Sequence, residues 1–291
     1  MSTVAELLDR IRRDYLTQGR VEPRNKLSSS IDASATSLTF AYDLDALQPG
    51  TTISMGLEDM HVWSTDPTSR TVEVDRGVDS STAAAHTTTE RVRVAPRWSD
   101  AQLLRSVNAE LANLFSQGLY GVAASEVTFT TNTQGYALPA AVVSVHRVMV
   151  QDYTGDNWFP LGGWTVDHMQ NTTDFASGIA LFLRGEGGLE GRKLRVIYKR
   201  AFAELTALDD DVVSDGLLPA TAVDVLAMGT AISVLVGREV SNRLYEAQGS
   251  TRRGEETPPG AAAQSFTPVI RQYQARLQAE KKALARRYGA L

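Results

Sequence analysis

Two stretches of the chain, residues 27–94 and 127–198, are cut into short runs of Thr, Val and aromatic residues by turn formers, while helical periodicity is confined to the segments around them. Strands and helices need apolar residues at different periods, 2 and 3.6, so this division restricts the possible folds before anything else is considered. In the first stretch the runs are 37–42, 51–55, 61–63, 71–74 and 91–94, separated by Asp45, Pro49, Gly50, Asp66, Pro67, Gly77 and Asp79. That pattern predicts a small sheet or barrel. In the second the runs are 127–131, 141–151, 158–166, 179–184 and 194–198, punctuated by Gly135, Pro139, Gly155, Gly162, Gly163 and a glycine-rich loop at 185–191. Strands at such spacing predict a sandwich.

Helical spacing opens the chain, where Val4, Leu7, Leu8, Ile11 and Tyr15 follow Ser2 as cap, Arg12 and Arg13 fall on the polar side, and Gly19 is the stop. Ser99 is placed to cap a second helix through Leu103, Leu104, Val107, Leu111, Leu114 and Phe115, which Gly118 ends. A third helix, 220–248, is apolar nearly all round in its first half and must bury it. Gly249, Gly254, Pro258, Pro259 and Gly260 make 249–264 a loop or linker. The last helix, 266–288, carries one apolar stripe, Phe266, Ile270, Tyr273, Leu277, Leu284 and Tyr288, over about 23 residues or roughly 34 Å. Its other faces hold Arg271, Arg276, Lys281, Lys282, Arg286 and Arg287 against a single Glu280. So one-signed a face fits a negative partner, either duplex DNA or an acidic neighbouring surface, as well as it fits a helix side that faces only solvent.

Together these elements predict an α+β protein, a helical bundle built from N- and C-terminal helices with inserted antiparallel β modules. The expected divisions are an N-terminal helix at 1–20, a small β domain at 21–96, a core helix at 97–120, a β-sandwich at 121–205 and a helical region at 206–291. A chain of 291 residues suits several such modules.

Composition narrows the chemistry. With 43% hydrophobic and 22% charged residues the chain should fold, and a net charge of -5 argues against a surface that clamps nucleic acid throughout. The lack of cysteine excludes disulfides, thiol nucleophiles and Cys-ligated metals. Residues 1–15 carry Glu6 and Asp9 and do not read as a secretory signal. The most apolar stretch, 222–236, is interrupted by Asp224 and Gly229 and is shorter than the roughly 20 residues a bilayer requires, so no membrane span is expected.

Catalytic patterns are correspondingly thin. His61, His86, His146 and His168 show no metal-ligand spacing, and Asp209, Asp210 and Asp211 lack the alternation of a calcium loop and read as a turn before a helix. Glu186 and Glu190 could pair as glycosidase carboxylates but read more simply as acids of a solvated turn, and their glycine-rich loop, with no P-loop Lys and with acids where phosphate would sit, reads as a long hairpin turn. No Gly-x-Ser-x-Gly elbow is present. The expectation is a protein without enzymatic activity or cofactor.

One segment has a familiar look. Val72-Glu73-Val74-Asp75-Arg76-Gly77, then Ala83-Ala84-Ala85-His86, then Val92-Arg93-Val94-Ala95-Pro96-Arg97-Trp98-Ser99-Asp100-Ala101 resembles virion proteins of tailed bacteriophages, in which an Arg-Gly turn, an Ala-Ala-His segment and a Pro-Arg-aromatic entry precede a helix. This chain departs in having Asp79-Ser80-Ser81-Thr82 where Gly-Thr or Gly-Ser is common. The closing helices, with Gln248, Arg252, Arg253 and Glu255 between them, are similar to the end of head-to-tail adaptors.

The resemblance implies a ring of identical subunits, a dodecamer, in the neck of a virion assembled in the host cytoplasm. It would join the portal protein to tail completion or stopper proteins and pass double-stranded DNA without sequence specificity. The stripe Phe266 to Tyr288 would then serve the oligomer interface, and the basic face the portal or DNA. A tail or baseplate subunit is the alternative, and a glycan-cleaving enzyme drawing on Trp158 and Trp164 a more distant one.

Overall fold

The computed structural model describes residues 2–16, 22–131, 133, 135–155, 157–184, 189–248 and 261–288; the side chains of 237–248 and 261–266 lie outside that description. Two compact units divide the chain, the first from 1–111, 204–215 and 223–274, the second from 112–203, 216–222 and 275–291.

In the first unit α1 (Val4–Ile11) begins at Thr3 rather than Ser2, because a capping box forms there: the Glu6 amide donates to Thr3 Oγ1 at 3.3 Å and the Thr3 amide to Glu6 Oε2 at 3.1 Å. The next two amides, Val4 and Ala5, donate to the carbonyls of Asp210 and Leu208, both at 2.9 Å. The acidic segment thus completes the cap of a helix some two hundred residues before it. Asp210 accepts the Thr206 and Ala207 amides at 2.7 and 2.9 Å, so its carboxylate shapes the turn. Val4, Leu7, Leu8 and Ile11 are buried. Arg12, expected on the polar side, is buried too: it lies four residues beyond Leu8, on the same face, where it pairs with Asp100 and donates to the Trp98 carbonyl. Gly19 lies outside the described residues.

Six strands form one antiparallel sheet: β1 (Arg24–Asn25), β2 (Ser37–Thr39), β3 (Thr52–Met55), β4 (Glu58–Asp66), β5 (Thr71–Asp75) and β6 (Val92–Val94), in the order β1-β6-β3-β4-β5-β2. The sheet curls towards a barrel until its edges meet. Leu27, just past β1, bridges Phe40, just past β2, flanked by hydrogen bonds Ser28 to Thr39 and Ala41 to Lys26. Alternation along β5 sends Val72 and Val74 inward with Phe40, Ile53, Met60 and Val62, each side chain contributing about 1.5–3 kcal/mol when fully buried. Glu73 and Asp75 point the other way.

Next, α2 (Asp100–Ser116) is capped by Ser99, whose hydroxyl accepts the Gln102 amide at 3.1 Å. Gly118, at φ +93°, ends it with a Leu119 to Leu114 hydrogen bond, a conformation that suits glycine. After it the second unit builds a four-stranded sheet from β7 (Gly121–Thr128), β9 (Ser144–Gln151), β10 (Trp158–Leu161) and β13 (Lys193–Arg200), ordered β10-β9-β13-β7. A three-stranded sheet, β11-β12-β8, takes β8 (Tyr136–Ala137), β11 (Trp164–Asp167) and β12 (Ala180–Leu183). One core serves both sheets, with Val148 and Val150 from β9, Leu194 and Val196 from β13, Leu181 from β12 and Tyr136 from β8.

The remaining helices are α3 (Val223–Gln248), whose first turns are buried as its apolar circumference requires, and α4 (Ala261–Tyr288). The latter starts five residues before the spacing predicts, since Ala261, Ala262 and Ala263 are strong helix formers; 249–260, expected as loop, lie outside the described residues.

The expected helical bundle with inserted β modules is overturned. The protein is mostly β, with thirteen strands in three sheets and four α-helices among the described residues. The physical reason is that each β stretch builds an apolar core of its own rather than inserting into a helical one, from Leu27 to Val94 in the first unit and from Phe129 to Tyr198 in the second. α1 packs against α3, and the boundary between the two units falls inside both α2 and α4. Among the described residues no helix is long and apolar enough to cross a membrane.

Where helices of the first unit do meet, close approach depends on one glycine. Tyr273 of α4 donates to Glu110 Oε1 of α2 at 2.7 Å, and a Cβ at Gly229 of α3 would overlap that carboxylate. Gly229→Ala should therefore lower stability by about 1–3 kcal/mol as an overpacked core does, measured by urea denaturation, despite alanine's better helix propensity.

Candidate functional site

The densest polar arrangement in the first unit surrounds Glu58, the first residue of β4, whose side chain is fully buried. Arg76 grips its carboxylate with two prongs, Nε to Oε1 at 2.7 Å and Nη2 to Oε2 at 2.8 Å. Backbone amides of Gly77 and Ala84 add bonds at 3.1 and 2.9 Å, and His86 Nε2 lies 2.9 Å from Oε2. The other ring nitrogen of His86 faces Glu90 Oε2 at 2.8 Å, so the imidazole bridges the two carboxylates. Arg76 spends its remaining donors on the carbonyls of Asp32, Ala35 and Ala84.

Burial raises the proton affinity of Glu58, but the Arg76 guanidinium, the Ala84 amide and His86 outweigh it, and the carboxyl is held below its ordinary value of 4.5. Glu90 is lowered likewise, burial being outweighed by the Thr87 amide and His86. The neighbouring Asp59 is the reverse case. It is buried, its Oδ1 has no hydrogen-bond partner among the described residues, and burial pushes its carboxyl up against the lowering effect of the Ser99 and Ser54 hydroxyls. Its backbone nonetheless holds the loop through Val78 and Ser81.

Arg76, Gly77, Ala84 and His86 are thus gathered on one carboxylate, although the sequence spreads them over eleven positions and Glu58 stands further off still. Asp79 and Ser80, in the departing segment, adopt φ of +53° and +62°, the left-handed region in which glycine is at ease. Glu58 and Glu90 escaped the sequence reading; the only hint was a Glu-Asp pair interrupting a strand-forming run.

A second charged group lies in the same unit, where Arg93 reaches Asp9 at 2.9 Å, Glu22 at 3.5 Å and Asp100 at 3.7 Å. It borders a cavity of about 370 Å³ that Glu90 and Arg91 also line. Within that lining Arg93 pairs with Asp9 and Asp100, and among the described residues it holds no hydroxyl, thiol or imidazole.

The other candidates fall apart spatially. His61 packs edge-on against Trp63 at 5.0 Å, His168 is exposed, and His146 is stacked between Tyr120 and Tyr288 at 5.4 Å each. Burial, then Lys199, pushes the His146 ring down from 6.5. Glu190 accepts the amide and hydroxyl of Thr131, while Glu186 lies outside the described residues. Trp158 carries Arg195 over its face at 4.1 Å. Among the described residues no cluster suited to a metal ion is found.

Of the last helix's stripe, Tyr273, Leu277 and Leu284 are buried within the chain, Ile270 is half-buried, Tyr288 stacks on His146, and the side chain of Phe266 lies outside the description. Arg271, Arg276, Lys282, Arg286 and Arg287 are exposed, and Lys281 lies half-buried against Gly118. Compared with protein-family models and with curated proteins, the chain finds no match.

Four outcomes follow from this geometry. Glu58→Gln leaves the Arg76 charge buried without its counter-ion and should cost about 3–5 kcal/mol in thermal unfolding. Because the folded Glu58 and Glu90 hold protons less tightly than the unfolded chain, the stability they supply is full above pH 4.5 and disappears as the pH falls through their lowered values, visible as an acid limb in an unfolding titration. Asp59→Asn should instead stabilise the protein near neutral pH, with the gain fading as acid protonates the native carboxyl. Ser80→Gly should add about 1 kcal/mol by removing left-handed strain.

Proposed function

We propose that the protein is a non-enzymatic structural component of a tailed-phage virion, a head-to-tail adaptor that works through contacts with copies of itself and with the portal and tail-completion proteins. The observation that carries this reading is the convergence of Arg76, Gly77, Ala84 and His86 on Glu58. These are the residues that bear the resemblance to phage virion proteins, and their polar atoms are consumed in holding a loop to a sheet. Such a motif fixes shape; it leaves no reactive group facing a substrate.

Chemically, the surface left for work is the basic side of α4, which offers charge to a negative partner within the particle. Assembly rests on the curled sheet, the second unit and that exposed helix side, not on a helical bundle. Duplex DNA would pass such a ring as a non-specific polyanion.

Mass measurement of the purified full chain, alone and mixed with the portal ring of the same phage, tests the reading. A closed oligomer, or a stoichiometric complex with the portal, is expected. A chain that stays monomeric in both samples, or that turns over a cell-wall glycan, overturns it.

A further inference from the structure

The outer face of the first unit's sheet carries an unusual display. Pairing between β4 and β5 slips at Trp63, so Val62 opposes Val74 and Ser64 opposes Glu73 while Trp63 stands as the extra residue of a β-bulge. Bulges re-aim side chains, and this one sends the indole outward, 60% exposed. His61 supports it edge-on at 5.0 Å and opposes Asp75 across the strand pair. Directly opposite residues share a face, so Trp63, His61, Glu73 and Asp75 form one surface. Neither Glu73 nor Asp75 makes an ion pair among the described residues. An exposed tryptophan flanked by two uncompensated carboxylates is chemically suited to a flat cationic partner, which it meets by cation–π contact and charge together.

A surface of that kind is present on the same polypeptide. Within the second unit's share of α4, Leu277 and Leu284 are buried, and the opposite side is exposed. At 100° per residue that outward side comprises Ala275, Ala279, Lys282, Ala283 and Arg286. The three alanines give a shallow floor on which an indole ring can lie, with Lys282 and Arg286 placed to reach carboxylates beside it. Small residues and positive charge on one element answer bulk and negative charge on the other.

We infer that the Trp63–Glu73–Asp75 face of one copy docks on the Ala279–Lys282–Arg286 side of α4 of the next copy. The two patches are different, so the contact is heterologous, the type that closes into a ring when the rotation between copies permits. The inference rests on the self-assembling reading above and names the contact that would produce it.

Charge exchange tests it in trans. One variant of the full chain carries Glu73→Lys and Asp75→Lys; a second carries Lys282→Glu and Arg286→Glu. All four positions are exposed, so unchanged circular dichroism and melting temperature verify the fold of each. Each variant alone should assemble at least about tenfold more weakly than the wild type by sedimentation, since like charges then face each other. Mixed in equal amounts, the two should recover assembly, because every junction again joins opposite charges. Trp63→Ala should weaken assembly by a similar factor without affecting charge.

If the wild type assembles and both reversed variants assemble equally well, the inference is overturned while the adaptor reading stands. Loss in each variant without recovery on mixing also overturns it, and points to DNA or the portal as the occupant of the basic side. A wild type that never associates, with or without portal, removes both.

Discussion

Glu58 is an anion placed where an anion should be expensive. Moving a carboxylate from water to a protein interior costs several kcal/mol even after relaxation, and that cost is met only when every lone pair finds a donor. Five contacts do so here: two from Arg76, two from backbone amides and one from His86. The consequence is geometric. A segment from Arg76 to Glu90, with little regular structure of its own, is held in one conformation because any other would strand the charge. Arg76 extends the same constraint to the carbonyls of Asp32 and Ala35, tying a third part of the chain to the sheet.

The same economy recurs elsewhere in the first unit. Arg12 and Arg93 are buried with acidic partners, and Glu110 lies against Tyr273 where Gly229 leaves it room. Such buried polar groups are poor sources of net stability compared with well-packed hydrophobic residues, yet they are unforgiving of misplacement. The apolar interior of the sheet, from Ile53 to Val94, supplies the main driving force for folding. Charge pairing then selects among the ways that interior could be covered.

For function, the division of labour matters more than any single group. Of the titratable side chains that could do chemistry, Glu58 and His86 are buried, and Glu90, partly exposed, is bonded to His86. Side chains turned outward are suited to recognition: Trp63 on its bulge, and the arginines and lysines along α4. This arrangement supports the proposed action through surfaces, and the bulge at Trp63 shows how one extra residue in a strand can turn a large side chain of a core-forming sequence outward.

The sequence alone determined what depends on neighbours along the chain. Val72 and Val74 alternate with Glu73 and Asp75, so the strand and its buried face were readable, as were the Ser99 cap, the Gly118 stop and the buried first half of α3. Each of these is fixed by period or by local backbone chemistry. What the tertiary structure decided is whatever depends on residues far apart in the chain. The helices looked like a bundle because their stripes are amphipathic, but a stripe specifies only that it be covered, not by what. Tyr288 found His146 of a strand, Arg12 found Asp100, and the amides that open α1 found the carbonyls near Asp210. Glu58 could not be recognised as the anchor of the Arg76 to His86 segment for the same reason: an ion pair is a property of distance in space, and no spacing in the sequence encodes it.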